Sequence, residues 1–98
     1  VEANLLACKA PGAAGQAFNV ACGDRITLNS MLQQINKLTG KDISPVYADP
    51  RAGDIKHSQA DITRAKQTLG YQPKVTFEEG LRNTIEWYRE NVLRPVTA

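Results

Sequence analysis

The chain concentrates hydrogen-bonding side chains between Pro50 and Asp61, in the sequence PRAGDIKHSQAD. Arg51 offers a planar fork of donors that suits a phosphate group. Asp54 offers a carboxylate that can accept hydrogen bonds from two adjacent hydroxyls of a ribose. Gly53 stands between them and lets the backbone approach a ligand closely. Together these residue types suit a nucleoside diphosphate sugar.

The same stretch also fits an ordinary surface loop. In that interpretation Pro50 and Gly53 form turns, and the two aspartates cap backbone groups. The basic side chains are then solvated. The residue pattern alone favours this simpler interpretation, so both alternatives stay open.

Catalytic chemistry is not indicated by the side chains of the loop. His57 is the only histidine of the chain, and no Cys or Ser–Asp partner accompanies it in the pattern of a nucleophilic triad. A lone histidine more often packs or hydrogen-bonds than it acts as a base or a metal ligand. No two carboxylates stand out as a general acid and base pair.

Length and composition indicate one modest soluble domain. The chain has 98 residues, of which 42% are hydrophobic and 22% charged. A net charge of +2, with the basic residues dispersed among acids, disfavours a nucleic-acid surface. No run approaches the roughly 20 apolar residues of a membrane span, and no signal segment opens the chain. We therefore expect a cytoplasmic protein that binds neither nucleic acid nor membrane.

Two further patterns limit the cofactors that the chain can hold. Cys8 and Cys22 fit neither a metal-binding spacing nor a disulfide framework, so we expect two buried thiols and no metal site. The chain also has no glycine-rich phosphate loop and no βαβ alternation typical of a nucleotide-binding sheet.

The elements that would position the loop begin with a helix in VEANLLACKA, which PGAAG (residues 11–15) would end. No Ser, Thr or Asp precedes Val1 to cap this helix, so we expect it to start upstream in a longer chain. Two short strands are predicted at residues 17–21 (AFNVA) and 43–48 (ISPVYA). A helix between them is predicted from apolar residues at helical spacing, with Thr27 as its N-cap and Gly40 as its C-terminal stop.

Two more helices are predicted after the loop. The first, in ADITRAKQTLGY, has Asp61 as its N-cap and ends at Gly70. Its inward-facing residues are Ile62, Ala65 and Leu69. The second, in TFEEGLRNTIEWYRENV, begins with the capping-box pair Thr76 and Glu79 and carries an apolar stripe. The chain is thus predicted to be an α+β, mainly helical lobe with two short strands, forming one domain over residues 1–98.

The motifs RxGD, HSxAD, LGYxP, GL and WY, in this order and spacing, resemble the C-terminal part of the extended short-chain dehydrogenase/reductase family. This family contains the NAD-dependent nucleotide-sugar epimerases and dehydratases. The resemblance runs through nearly the whole chain, and GDIKHSQADIT is most similar to bacterial UDP-N-acetylglucosamine 4-epimerases. It implies a small substrate-binding lobe that normally packs on an N-terminal Rossmann domain, which is absent from these 98 residues.

The resemblance implies roles for individual residues of the loop. Arg51 would contact the diphosphate of a UDP-sugar, and Asp54 the uridine ribose. Ser58 would lie beside the sugar, where a Tyr is associated with enzymes limited to UDP-glucose and UDP-galactose. A small residue there admits a 2-acetamido group, because a Tyr ring and that group cannot share one space. We expect His57 and Asp61 to hold the loop and to cap the following helix.

The resemblance also implies what this chain lacks. The catalytic Tyr, Lys and Ser/Thr of the family, and its dinucleotide loop, lie in the N-terminal region. We therefore expect the chain alone to be inactive and to hold no NAD. The parent enzyme would use NAD to epimerise a UDP-sugar by transient oxidation at C4, and would be a homodimer. The isolated chain is expected to self-associate through exposed apolar surface.

Two alternatives to the epimerase remain. A nucleotide-sugar dehydratase or decarboxylase would share this lobe and differ in the catalytic residues that the chain does not include. A small freestanding helical module that binds a protein or a nucleotide without chemistry is the second alternative.

Overall fold

The computed structural model describes residues 1–93, and within them the regular structure is helical. The α-helices are α1 (Glu2–Ala7), α2 (Leu28–Thr39) and α3 (Phe77–Asn91). A short π-helix spans Ala65–Leu69. No helix in this described part of the chain is long and apolar enough to cross a membrane.

The chain divides into two compact units. The first unit combines Val1–Arg25 with Ile55–Lys74 and therefore contains α1 and the π-helix. The second unit combines Ile26–Asp54 with the described residues from Val75 onward and contains α2 and α3. The loop of interest changes unit between Asp54 and Ile55, so its two halves are held by different elements.

The first unit is built on a small apolar core. Its buried residues are Ala3, Ile62, Ala65 and Leu69, and α1 packs against the π-helix. The prediction that the last three of these face inward is confirmed. Gly70 ends the π-helix with a left-handed φ of +67°, which glycine adopts without steric cost. Its N–H is shared between the carbonyls of Ala65 and Lys66, which widens the last turn from the predicted α-helix to a π-helix.

In the second unit the start of both helices and the end of α2 lie where the sequence predicts. The Thr27 Oγ1 accepts a hydrogen bond from the Ser30 N–H at 3.1 Å, and Gly40 ends α2 with a φ of +68°. The Thr76 Oγ1 accepts from the Glu79 N–H at 3.2 Å at the start of α3. The two helices pack together, and no residue of either is fully buried.

The two predicted strands are not observed within residues 1–93, which corrects the α+β expectation to a mainly helical fold. A strand requires a second backbone to complete its hydrogen bonds. The segment at 43–48 is held by a side chain instead. The Asn36 Nδ2 donates to the Ile43 carbonyl at 2.9 Å, and the Asn36 Oδ1 accepts from the Ile43 N–H at 3.2 Å. The segment at 17–21 likewise has a side-chain contact, from the Tyr71 hydroxyl to the Ala21 carbonyl at 3.1 Å.

The burial of apolar side chains is incomplete in both units. Cys8 and Cys22 are exposed, so the expectation that they are buried is wrong. The physical reason is that a core of four small or medium residues leaves no interior for distant side chains. Large apolar residues are also exposed, among them Val1, Leu5, Val46, Ile55 and Leu93.

The N-cap of α3 gives a direct test of this local structure. Thr76→Ala is expected to lower the free energy of unfolding by about 1 kcal/mol, because the Glu79 N–H loses its acceptor. Thr84→Ala is the matched control, since its hydroxyl donates to the Gly80 carbonyl inside the same helix. Urea unfolding followed by circular dichroism compares the two variants. Equal losses in both would contradict the capping role.

Candidate functional site

The first half of the loop forms a tight turn from Arg51 to Asp54. The Asp54 N–H donates to the Arg51 carbonyl at 3.2 Å, and Gly53 has a φ of +86°. A positive φ at the third position of such a turn is typical of type II geometry and selects glycine. No atom beyond its chain neighbours lies within 4 Å of the place where a Gly53 Cβ would be, so glycine is needed here for its φ and not for want of space. The turn interpretation of Gly53 is therefore confirmed.

The turn presents its two charged side chains to solvent. Arg51 and Asp54 are both exposed, and neither side chain makes a hydrogen bond or ion pair with any part of the chain that the structure describes. The ends of a β-turn lie within about 7 Å of each other. The turn thus brings the backbones of Arg51 and Asp54 close together, and within the described residues their side chains keep the hydrogen-bonding capacity that a phosphate and a diol would need.

The segment before this turn is fastened to α2. Besides the Asn36 pairing with Ile43, the Tyr47 hydroxyl donates to the Asn29 Oδ1 at 3.3 Å. Asn29 and Asn36 are seven positions apart, which places them on the same face of a helix. A cleft of about 290 Å³ runs along this contact and includes Gln33 in its lining. The helix therefore fixes the chain a few residues ahead of Arg51.

The second half of the loop is tied to the segment at Gly23–Arg25. The Arg25 Nη1 donates to the His57 Nδ1 at 3.3 Å, and the Gln59 Nε2 donates to the Gly23 carbonyl at 2.6 Å. Ser58 lies between these two tethers, is exposed, and makes no side-chain hydrogen bond within the described residues. His57 holds the loop, as the sequence analysis expects.

Asp61 fixes the start of the helical segment that follows the loop. Its Oδ1 accepts from the Thr63 hydroxyl at 2.6 Å and from the Thr63 N–H at 2.9 Å. These bonds stabilise the carboxylate, and they lower the pKa of Asp61 below its usual range, with the hydroxyl as the larger cause. The predicted capping role of Asp61 is therefore observed, and two α-helical residues, 63 and 64, precede the π-helix that begins at Ala65.

Arg64 is committed to structure in the same unit. Its Nη2 donates to the Gln16 Oε1 at 2.7 Å, and its guanidinium lies 5.5 Å from the centre of the Phe18 ring. A cleft of about 360 Å³ adjoins these groups, and its lining also includes Asn19 and Asp61. Because its Nη2 already donates to Gln16 and its guanidinium lies against the Phe18 ring, Arg64 differs from Arg51 as a candidate for binding an anion.

The sequence-predicted residues are not all held by one element. Arg51 and Asp54 meet on one turn of the second unit, whereas Ser58 belongs to the first unit. No group of three metal-ligating side chains is found among residues 1–93. The sequence analysis missed Gln59 and Arg25, since their contacts join residues 36 and 32 positions apart and leave no local pattern.

Comparison with known proteins gives the class of protein. No family profile matches the chain. The UDP-glucose 4-epimerase of Mycolicibacterium smegmatis is 37% identical over 79 residues, which are 81% of this chain and 25% of that protein. A dTDP-glucose 4,6-dehydratase of Streptomyces niveus is 34% identical over 82 residues, which are 82% of this chain and 24% of that protein.

A solved structure agrees with these relatives. The crystal structure of the UDP-glucose 4-epimerase of Thermotoga maritima with UDP-glucose matches with a TM-score of 0.80 and 42% identity. The match covers 90% of this chain and 28% of that one. The chain therefore belongs to the NAD-dependent epimerase/dehydratase group of extended short-chain dehydrogenases/reductases. Within that group it is homologous to UDP-sugar 4-epimerases, and it spans about a quarter of the length of the relatives that it matches.

The Asp61 cap predicts a measurable titration. Thr63→Val removes the hydroxyl that contributes most to the lowered pKa, so the pKa of Asp61 should rise towards its usual value. Thr68→Val, the same substitution in the same unit, should leave it unchanged. The Asp61 carboxyl resonance followed by NMR during acid titration measures both. The same Asp61 pKa in both variants would contradict the assignment.

The sign of the stability effect follows from the same bonds. Because the folded-state pKa is lowered, the stabilisation is present above the unfolded pKa of about 4 and is lost as pH falls through the folded value. Above this pH window the free energy of unfolding of Thr63→Val should therefore be lower than that of the parent chain. Below the window the two free energies should converge.

Proposed function

We propose that this chain is the C-terminal substrate-binding part of an NAD-dependent UDP-sugar 4-epimerase that acts on N-acetylhexosamines. The observation that carries the proposal is the Arg51–Asp54 turn, in which an exposed guanidinium and an exposed carboxylate make no hydrogen bond or ion pair within the described residues, in a chain homologous to UDP-sugar 4-epimerases. Arg51 binds the diphosphate through charge-assisted hydrogen bonds, and Asp54 accepts from the ribose hydroxyls.

In the proposed enzyme this chain binds and orients the substrate. NAD, held by a part of the enzyme outside this chain, supplies the oxidation at C4 and the return of hydride to the opposite face. Epimerisation requires the sugar to rotate between these steps. Fastening the nucleotide end therefore lets the sugar turn while the substrate stays bound, and remote binding energy of this kind serves positioning.

Ser58 supports the choice of N-acetylhexosamine within this proposal. Its side chain is small and exposed, and it makes no hydrogen bond within the described residues. A small side chain beside the sugar leaves space for a 2-acetamido group, which a large aromatic ring would fill. The substrate selectivity of the enzyme then depends on the volume at this one position.

The exposed apolar residues support the proposal that the chain is covered by further protein. Side chains such as Val1, Leu5 and Val46 are largely in solvent. In the proposed enzyme the remaining domain covers part of this surface, and the parent is a homodimer. The 98-residue chain on its own self-associates for the same reason.

A nucleotide-sugar dehydratase is the second candidate function. The match to the dTDP-glucose 4,6-dehydratase of Streptomyces niveus favours it, at an identity close to that of the epimerases. Both reactions begin by oxidation at C4, so the substrate-binding part serves either. The product distinguishes them, because a dehydratase leaves a stable keto sugar whereas an epimerase returns an alcohol.

The activity is tested with the longer gene product that contains this chain. It is incubated separately with UDP-N-acetylglucosamine and UDP-glucose, and the anomeric proton signals are followed by NMR. Interconversion of the N-acetyl sugars supports the proposal. Turnover of UDP-glucose alone would keep the epimerase and overturn the proposed substrate, and a stable keto product would favour the dehydratase. Absence of any reaction would overturn both enzymes.

Binding of the nucleotide tests the roles of the turn. Arg51→Gln should weaken the binding of UDP by about ten- to a hundredfold, because hydrogen bonds to charged groups are lost. It should weaken the binding of uridine much less. Asp54→Asn should weaken the binding of UDP more than the binding of 2′-deoxyuridine diphosphate, since the deoxy compound lacks one of the hydroxyls. Titration calorimetry on the longer protein measures these affinities. Arg82→Gln on α3 is the matched control, because Arg82 pairs with Glu78 within its own helix. Equal loss for UDP and uridine would refute the phosphate contact.

Substrate selectivity tests the role of Ser58. Ser58→Tyr should raise KM for UDP-N-acetylglucosamine strongly and leave KM for UDP-glucose nearly unchanged, because the ring occupies the space of the acetamido group. Ser58→Ala keeps the side chain small and should keep the selectivity of the parent. Steady-state kinetics with both sugars compares the variants. Parallel changes for both sugars in Ser58→Tyr would contradict the proposed pocket.

A further inference from the structure

The exposed side chain of Gln59 hydrogen-bonds to a backbone carbonyl that is distant in sequence. Its Nε2 donates to the Gly23 carbonyl at 2.6 Å, across 36 positions of sequence. Ordering a flexible glutamine side chain costs conformational entropy, which a solvated Gln does not lose. The contact therefore restrains the loop at this residue, immediately after Ser58.

The acceptor of this bond lies beside the core of the first unit. Gly23 has a φ of +82°, and a Cβ at this position would lie 3.3 Å from the Ile62 Cδ1. Ile62 is only 5% exposed and belongs to the core. The Tyr71 hydroxyl also holds the Ala21 carbonyl two residues earlier. Gln59 thus connects the loop to a segment that the core fixes.

A second tether flanks Ser58 on its other side. The Arg25 guanidinium donates to the His57 Nδ1 at 3.3 Å. The two contacts keep an antiparallel order, with residue 57 opposite 25 and residue 59 opposite 23. Since the Ser58 side chain has no hydrogen bond of its own in the described residues, these neighbours determine where it stands.

We propose that Gln59 is the positioning residue that holds Ser58 and so fixes the space for the 2-acetamido group of the substrate. The inference rests on the proposed function, in which Ser58 lies beside the sugar. The shorter of the two tethers is the one from Gln59, and it ends on a backbone atom beside the core. Loss of this bond lets the backbone at 57–59 shift towards or away from the sugar. UDP-glucose has no acetamido group, and its binding depends less on that space.

Kinetics of the longer enzyme test the selectivity. Gln59→Leu should raise KM for UDP-N-acetylglucosamine by about five- to tenfold, the factor that corresponds to one hydrogen bond, with a smaller change for UDP-glucose. Gln59→Glu has the same length without a donor and should behave like Gln59→Leu. Gln59→Lys keeps a donor and should recover part of the parent selectivity. Gln72→Leu is the matched control, because Gln72 is exposed in the same unit and makes no side-chain hydrogen bond in residues 1–93.

Amide relaxation NMR on the 98-residue chain tests the tether without using activity. The order parameter of the Ser58 amide should fall in Gln59→Leu and stay at the parent value in Gln72→Leu. An unchanged order parameter in Gln59→Leu would refute the positioning role. A lowered order parameter with an unchanged KM ratio in an active enzyme would refute the selectivity role. If the parent enzyme converts neither sugar, the proposed function fails, and the order parameter still decides whether Gln59 holds Ser58.

Discussion

The close approach of Gly23 to Ile62 is the constraint on which the first unit depends. A side chain at position 23 would meet the Ile62 Cδ1 at 3.3 Å and would have to adopt a φ of +82°. Only glycine satisfies both conditions without strain. Because Ile62 is buried with the π-helix residue Ala65, the Gly23 backbone lies against a packed core. The exposed loop at Gln59 is thereby attached to the small core of this unit, because the Gln59 side chain donates to the Gly23 carbonyl.

In the second unit, amide side chains of α2 hold the segment that precedes the Arg51–Asp54 turn. Asn36 donates to and accepts from the backbone of Ile43, as a neighbouring strand would, and Asn29 accepts from Tyr47. Segments that the sequence predicts as strands are therefore held in place without a β-ladder. In both units a hydrogen bond between a side chain and the rest of the protein replaces the backbone pairing that such short segments cannot find among the described residues. The consequence is a mainly helical fold that still presents ordered loops.

What the sequence predicts correctly here is local. Thr27, Thr76 and Gly40 act within one helical turn, so their residue types alone specify the ends of α2 and α3. The inward positions of the π-helix follow from spacing in the same way. Strand formation and the burial of Cys8 depend on distant parts of the protein, and the sequence contains no pattern for them. An apolar run at 17–21 has the composition of a strand, but composition does not supply a pairing partner.

The candidate site shows the same division between local and distant determinants. The turn at Gly53 could be predicted, because a β-turn is specified by consecutive residues, whereas ligand binding by Arg51 and Asp54 stays a proposal. That the two side chains make no ion pair within the described residues is a property of the structure, and it favours the proposed binding, since a ligand would displace water there and break no ion pair. Ser58 differs from Arg51 and Asp54, because its proposed role depends only on the small volume of its side chain. In the proposed function a small side chain provides selectivity only where the backbone is held, so the residues that restrain this backbone belong to the proposed site together with Ser58.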